Sequence, residues 1–235
     1  MLTGKGIMRS NVYFVRSGQS WVLIDAGSVN CGAAIKTAAE SLFGAGTRPN
    51  CILITHNHPD HAGSALELAR AWNCTVYVHP DELEIAVNPS MTTFEKFANP
   101  MDRAIILPIM RLMPKEKFEA MNARNSLKDV CRSFDPAGSV PGLPDWRCVP
   151  LPGHTPGEVA FFRKSDRVLI TGDAVVTIDT NSFLGIVSWI FKLNKTKLSG
   201  PPRYSTWNWQ KAKTSVAAVA KLKPHVLATG HGLPL

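Results

Sequence analysis

No apolar run in this 235-residue chain reaches the roughly 20 residues that cross a bilayer as a helix. That excludes a membrane span of the helical kind. The first residues, Met1-Leu2-Thr3-Gly4-Lys5-Gly6, hold no signal-peptide apolar core and lead straight into Val12-Tyr13-Phe14-Val15. Cysteine is scarce: five residues, at 31, 51, 74, 131 and 148, with no Cys-x-x-Cys among them. An odd, scattered set argues against a disulfide framework and for buried thiols. These absences together predict a cytoplasmic protein. No repeat and no low-complexity linker interrupts 1–235, so the chain reads as one domain with a substantial core.

Acids are also short in one half. Residues 1–100 hold 7 Lys+Arg and 8 Asp+Glu, whereas 101–235 hold 19 and 10. The excess bases are dispersed and fit no nucleic-acid module, so no nucleic-acid partner is expected. Lys192, Lys195, Lys197 and Arg203 flank an apolar run without an acid among them. A solvated basic face is the plain reading, and contact with an anionic amphiphile or a membrane surface is the sharper one.

What is abundant is concentrated in one octet. Thr55-His56-Asn57-His58-Pro59-Asp60-His61-Ala62 places four potential metal ligands, His56, His58, Asp60 and His61, in six consecutive positions. The apolar Cys51-Ile52-Leu53-Ile54 before it predicts a buried strand that releases these residues into a loop at its carboxyl end. In an extended segment His56, His58 and Asp60 would share a side and His61 would turn away. One tetrahedral ion with an open position does not use all four readily. Two neighbouring ions would share them, His56 and His58 on one and Asp60 and His61 on the other. Three further runs end in ligand types beside glycine: Pro152-Gly153-His154-Thr155-Pro156-Gly157, Leu169-Ile170-Thr171-Gly172-Asp173 and Val226-Leu227-Ala228-Thr229-Gly230-His231.

With its His-x-His-x-Asp-His motif at His56–His61, then His154, Asp173 and His231 in order, the sequence resembles the metallo-β-lactamase superfamily. Leu23-Ile24-Asp25-Ala26-Gly27 is similar to that family's first strand end. The resemblance runs from Asp25 to His231. It implies an αββα sandwich, two mixed sheets between helices, where periodicity alone gives only a mixed α/β class. It also implies His56, His58 and His154 on one ion, Asp60, His61 and His231 on the other, Asp173 bridging with a hydroxide between, and Asp25 orienting a ligand from behind. Two Zn²⁺ suit the His/Asp set, with Fe, Mn or Co as alternatives. The implied chemistry is metal-assisted hydrolysis, with Asp60 steering the hydroxide or receiving a proton.

Departures from the pattern narrow the family reading. The chain ends at Leu235, without the C-terminal extension by which glyoxalase II-type thioesterases hold glutathione. Lactonases of the family carry a Tyr three residues past the bridging Asp; Val176 stands there, and Tyr204 is the candidate replacement. Family β-lactamases lack an Asp at the position of Asp173, and RNA-processing members carry a further domain. An ester, lactone or thioester hydrolase is the expectation, with a mononuclear iron persulfide dioxygenase or a phosphodiesterase as alternatives.

Periodicity predicts strands at 12–15, 21–25, 51–54, 75–78, 148–151, 158–162, 167–171 and 225–229, and helices at 31–43, 62–72 and 208–222. Two stretches read as insertions, 83–135 and 183–203. The first holds Ala104-Ile105-Ile106-Leu107-Pro108-Ile109-Met110, and the second Phe183-Leu184-Gly185-Ile186-Val187-Ser188-Trp189. An apolar lid over the ions would favour a small hydrophobic or amphiphilic substrate, touched by Ile186, Trp189 and Tyr204. Core packing or a homo-oligomer interface is the other use of such runs. His79 and His225 read as structural.

Overall fold

In the computed structural model of the chain, residues 1–3, 10–182, 184, 185, 187 and 196–235 are described. One sheet runs in the order β1 (Leu2–Thr3), β2 (Asn11–Ser17), β3 (Ser20–Ile24), β4 (Cys51–Leu53), β5 (Thr75–Val78) and β6 (Cys131–Ser133). Its first three strands are antiparallel neighbours, and β3 to β6 are parallel. The second sheet joins β7 (Trp146–Pro150), β8 (Val159–Arg163), β9 (Val168–Thr171) and β10 (Val226–Ala228) in the order β10-β9-β8-β7. Only its β10–β9 pair is parallel.

Alternation along the strands decides which side each layer takes. On β2 and β3, Tyr13, Val15, Val22 and Ile24 face the second sheet, where they meet Val159, Phe161 and Ile170 in one buried cluster. The intervening Val12, Trp21 and Leu23 point the other way, onto Ile35 of α1 (Gly32–Phe43) and onto Leu68 and Trp72 of α3 (Ala65–Trp72). Between these helices lies the short α2 (Pro59–Ala62).

The connection from β5 to β6 is helical: α4 (Pro80–Val87), α5 (Met91–Phe97), a π-helical turn at Asp102–Ile106, α6 (Leu107–Leu112) and α7 (Lys115–Asn125). Ala98, Leu107 and Met110 form a small buried cluster of their own, with Phe94 and Phe118 against it. The stretch read as an insertion at 83–135 thus includes the edge strand of the first sheet, because Cys131–Ser133 pairs with Val76–Val78. On the far side, α8 (Trp209–Leu222) covers the second sheet, with Val219 packing on Ala160, Phe162 and Leu169. Helices therefore flank two mixed sheets, the αββα arrangement.

All five cysteines are free thiols. Among the described residues, no helix is long and apolar enough to cross a membrane.

Candidate metal centre

The octet is extended only as far as His58. Pro59 then starts α2, with His58 as N-cap residue, because proline has the backbone angle of a first helical turn and no N–H to lose. This helical turn corrects the simple alternation argument. It carries Asp60 away from His56 and His58 and brings it beside His61.

Two trios result. His56, His58 and His154 converge, as do Asp60, His61 and His231, and Asp173 groups with His56 and His61. His58 Nδ1 lies 3.1 Å from His56 Nε2 and 3.0 Å from His154 Nε2. His231 Nε2 lies 3.3 Å from Asp60 Oδ2 and 3.2 Å from Asp173 Oδ2. Asp173 also reaches His61 Nε2 at 3.4 Å through Oδ1 and His154 Nε2 at 3.6 Å through Oδ2, so it stands between the trios.

Glycine permits this closeness at two turns. A Cβ on Gly230 would meet Asp173 Oδ1 at 2.3 Å, and one on Gly172 would meet Thr55 Oγ1 at 2.7 Å and Glu158 Oε1 at 2.9 Å. Any side chain there would push the acid or its neighbours out of place.

The trios differ electrically. Burial and three neighbouring imidazoles hold His56 well below the ordinary histidine range. Burial and His58 push His154 down to about 3. Both offer lone pairs rather than protons. In the other trio burial also acts against charge on histidine, but carboxylates overcome it. Asp173, Asp60 and Asp25 hold His61 well above its usual range, and Asp173 with Asp60 lifts His231 to about 10. For the acids, burial is outweighed by the same histidines, which press Asp60 down to about 2 and Asp173 well below the carboxylate range.

The donor set fits metal. Five imidazoles and two carboxylates form the borderline His/Asp environment suited to zinc or iron. Among the described residues, His61 Nε2 and Asp173 Oδ1 are buried with no hydrogen-bond partner in good geometry. The two lie 3.4 Å from each other, too long for a good hydrogen bond, and both face the cluster.

Buried carboxylates hold the loops behind the trios. Asp25, with φ of 60°, accepts from Thr55 N–H at 2.8 Å and lies 2.8 Å from His61 Nδ1. Aspartate tolerates that left-handed backbone better than most residues. Two further acids escaped the sequence reading. Glu158 Oε1 accepts from Asp173 N–H at 2.6 Å, and burial and the Asp173 charge push its carboxyl well above the usual range. Glu82 accepts from Asn57 N–H at 2.9 Å and Gly157 N–H at 2.8 Å. An acid in a loop or first helical turn has many ordinary uses, so neither had a spacing signal. His79 caps α4 by accepting from Asp81 N–H, and His225 is exposed.

A cavity of about 540 Å³ opens over the cluster. Its floor includes His58, Asp60, His154, Asp173 and His231, and its roof Ile85, Phe94, Phe97, Ile106, Leu107 and Met110. Tyr204 stands at the wall; burial, then the charges of Asp173 and Asp60, raise its hydroxyl. Its segment is tied to the His154 loop, since Trp207 N–H donates to His154 O and Asn208 N–H to Gly153 O. Val176 is fully buried and bridged to Ser199, so it offers nothing to the cavity. Ile186 and Trp189, expected at the substrate, lie outside the described residues. Leu184, from the same run, is described and is 77% exposed.

The chain is 33% identical over 238 residues to "Probable metallo-hydrolase YflN" of Bacillus subtilis (strain 168), covering 99% of this chain and 84% of that protein. Among solved structures, it is similar to TTHA1623 in a di-iron-bound form, with a TM-score of 0.61, 23% identity and coverage of 100% of this chain and 92% of the other. It is also similar in fold to AidC, a dizinc quorum-quenching lactonase solved with a product, N-hexnoyl-L-homoserine, with a TM-score of 0.63, 14% identity and coverage of 95% and 72%. The model of the metallo-beta-lactamase superfamily matches residues 6–231, nearly all of the sequence, and the chain belongs to that superfamily.

Proposed function

We propose that the protein is a two-metal hydrolase of a carboxylic ester, lactone or thioester with an apolar acyl or aromatic part. The observation that carries this reading is the juxtaposition of two ligand trios, joined through Asp173, with an apolar cavity directly above them. His56, His58 and His154 would hold one ion and Asp60, His61 and His231 the other, with Asp173 between. Bound there, two cations supply a water of lowered pKa and polarise the oxygen of the scissile carbonyl. Zinc is our first choice, and iron, manganese and cobalt suit the same donors.

The remaining steps fall to the chain. Asp25 fixes the His61 ring through Nδ1, which leaves Nε2 aimed into the cluster. Asp60 lies on the cavity floor. It orients the attacking water and receives its proton. Tyr204 keeps its proton at neutral pH and donates a hydrogen bond to the substrate oxygen as charge develops there. The roof on α4 to α6 excludes water and takes up the apolar part of the substrate. Solvent protonates the leaving group.

The test is an activity panel of lactones, acyl thioesters, aryl esters and phosphodiesters on the metal-restored protein, run with an oxygen electrode. Hydrolysis of the carboxylic esters or thioesters that rises with acyl length supports the reading. Turnover confined to phosphodiesters, or oxygen uptake with a persulfide and one iron per chain, replaces it.

A further inference from the structure

The carboxylate of Glu82 is placed unlike that of an ordinary helix-start acid. It is the third residue of α4, whose N-cap is His79. At that position a glutamate commonly folds back onto the N-cap residue's own N–H. Here His79 uses its ring to cap Asp81, and the Glu82 side chain turns outward to two foreign loops. Its Oε2 accepts the N–H of Asn57, between His56 and His58, and its Oε1 accepts the N–H of Gly157, three residues past His154. The residue is only 3% exposed. A Cβ on Gly157 would stand 2.8 Å from Glu82 Cγ and 2.9 Å from His79 Nδ1, so this loop sits directly on the start of α4.

We propose that Glu82 is a positioning residue that sets the spacing of the all-histidine trio. His56 and His58 leave the first sheet and His154 leaves the second; the backbone bond between these segments, Val159 N–H to Thr55 O at 3.0 Å, lies before His56 and after Gly157, outside the ligand loops. One carboxylate spans both amides and fixes the two loops to each other. Asp25 holds the His61 ring of the other trio and also Thr55, before His56, whereas Glu82 is the acid that bonds the Asn57 and Gly157 amides. Because α4 also carries Ile85 in the cavity roof, the histidine spacing and the roof share one helix.

This inference rests on the reading of His56, His58 and His154 as a metal site. The test is calorimetric Zn²⁺ titration of the metal-free wild type, Glu82→Gln and Glu82→Ala, with amide hydrogen exchange on the same proteins. His58→Ala and His231→Ala identify which binding event belongs to which trio. Glutamine keeps one acceptor and sets an NH₂ against the other amide. The event lost in His58→Ala is expected to weaken about tenfold in Glu82→Gln and towards a hundredfold in Glu82→Ala, the range for groups that orient ligands. The event lost in His231→Ala should stay unchanged, and exchange should rise at both Asn57 and Gly157. A merely structural glutamate would weaken both events together or lower only the melting temperature. Unchanged affinity of the His58-dependent event in both variants would overturn the role of Glu82. Absence of any His58-dependent event in the wild type would instead overturn the metal site itself.

Discussion

Beneath the cavity seven side chains from four separate segments converge and are held with buried acids, whereas its roof is a run of helices that meet through apolar side chains, with polar ties such as Asn99–Asp102 and Arg111–Glu95 at helix ends and on the outside. On the floor, Asp25, Glu82 and Glu158 each tie backbone or ring nitrogens at 2.6–2.9 Å. In the roof, Leu107 and Met110 are buried while Ile105, Ile109 and Leu112 of the same run face outward, Leu112 at 86% exposure. Directional bonds fix position to a fraction of an ångström, as chemistry on a carbonyl requires. Apolar contact is tolerant of shape, as binding chains of differing length requires. Under the proposed function the floor would determine the reaction, and the roof would determine which substrates reach it.

The largest break in that contrast comes from the floor. Asp173→Ala removes the acid shared by the trios, and we expect loss of one metal equivalent per chain and of turnover, read by elemental analysis and initial rates. Asp25→Ala frees the His61 ring and should weaken metal binding about 10–100-fold, read by chelator competition. Tyr204→Phe should lower kcat by about tenfold, the worth of one hydrogen bond to a developing charge, with metal content unchanged. If KM alone moves, Tyr204 binds rather than stabilises.

The roof gives smaller, graded effects. Each methylene removed from the acyl chain should cost about 0.8 kcal/mol, roughly fourfold in kcat/KM, and Met110→Ala should flatten that dependence. Outward-facing Leu112→Ser should change stability by no more than about 0.5 kcal/mol, measured by urea denaturation. A loss well beyond this would mean that the outer face of the roof is covered in solution.

The same contrast explains what the sequence disclosed. Candidate ligands are rare side chains in a tight motif, so the sequence already singled out His56, His58, Asp60, His61, His154, Asp173 and His231, which the fold brings together, and most strands were legible as short apolar runs between turns. The turn at Pro59 that separates Asp60 from His58 was not foreseen, although proline after an extended residue marks a helix start. Glu82 and Glu158 stayed hidden because they bind backbone amides, and any loop offers those. The edge strand Cys131–Ser133 is only three residues long, too short for alternation to register. Its place depends on pairing with β5, a contact across more than fifty positions. The helices α5 to α7 read only as an apolar insertion, since their apolar side chains pack on one another and on the cavity, whereas α4 also puts Ala86 in the buried cluster of the first sheet.

Metal equivalents per chain, titrated into chelated protein while hydrolysis of a medium-chain acyl ester or lactone is followed, test the two-metal floor most directly. We expect no hydrolysis without metal and full rate only at two equivalents, with Asp173→Ala reaching neither. Hydrolysis that persists after complete metal removal, or that saturates at one equivalent with Asp173→Ala unaffected, would contradict it.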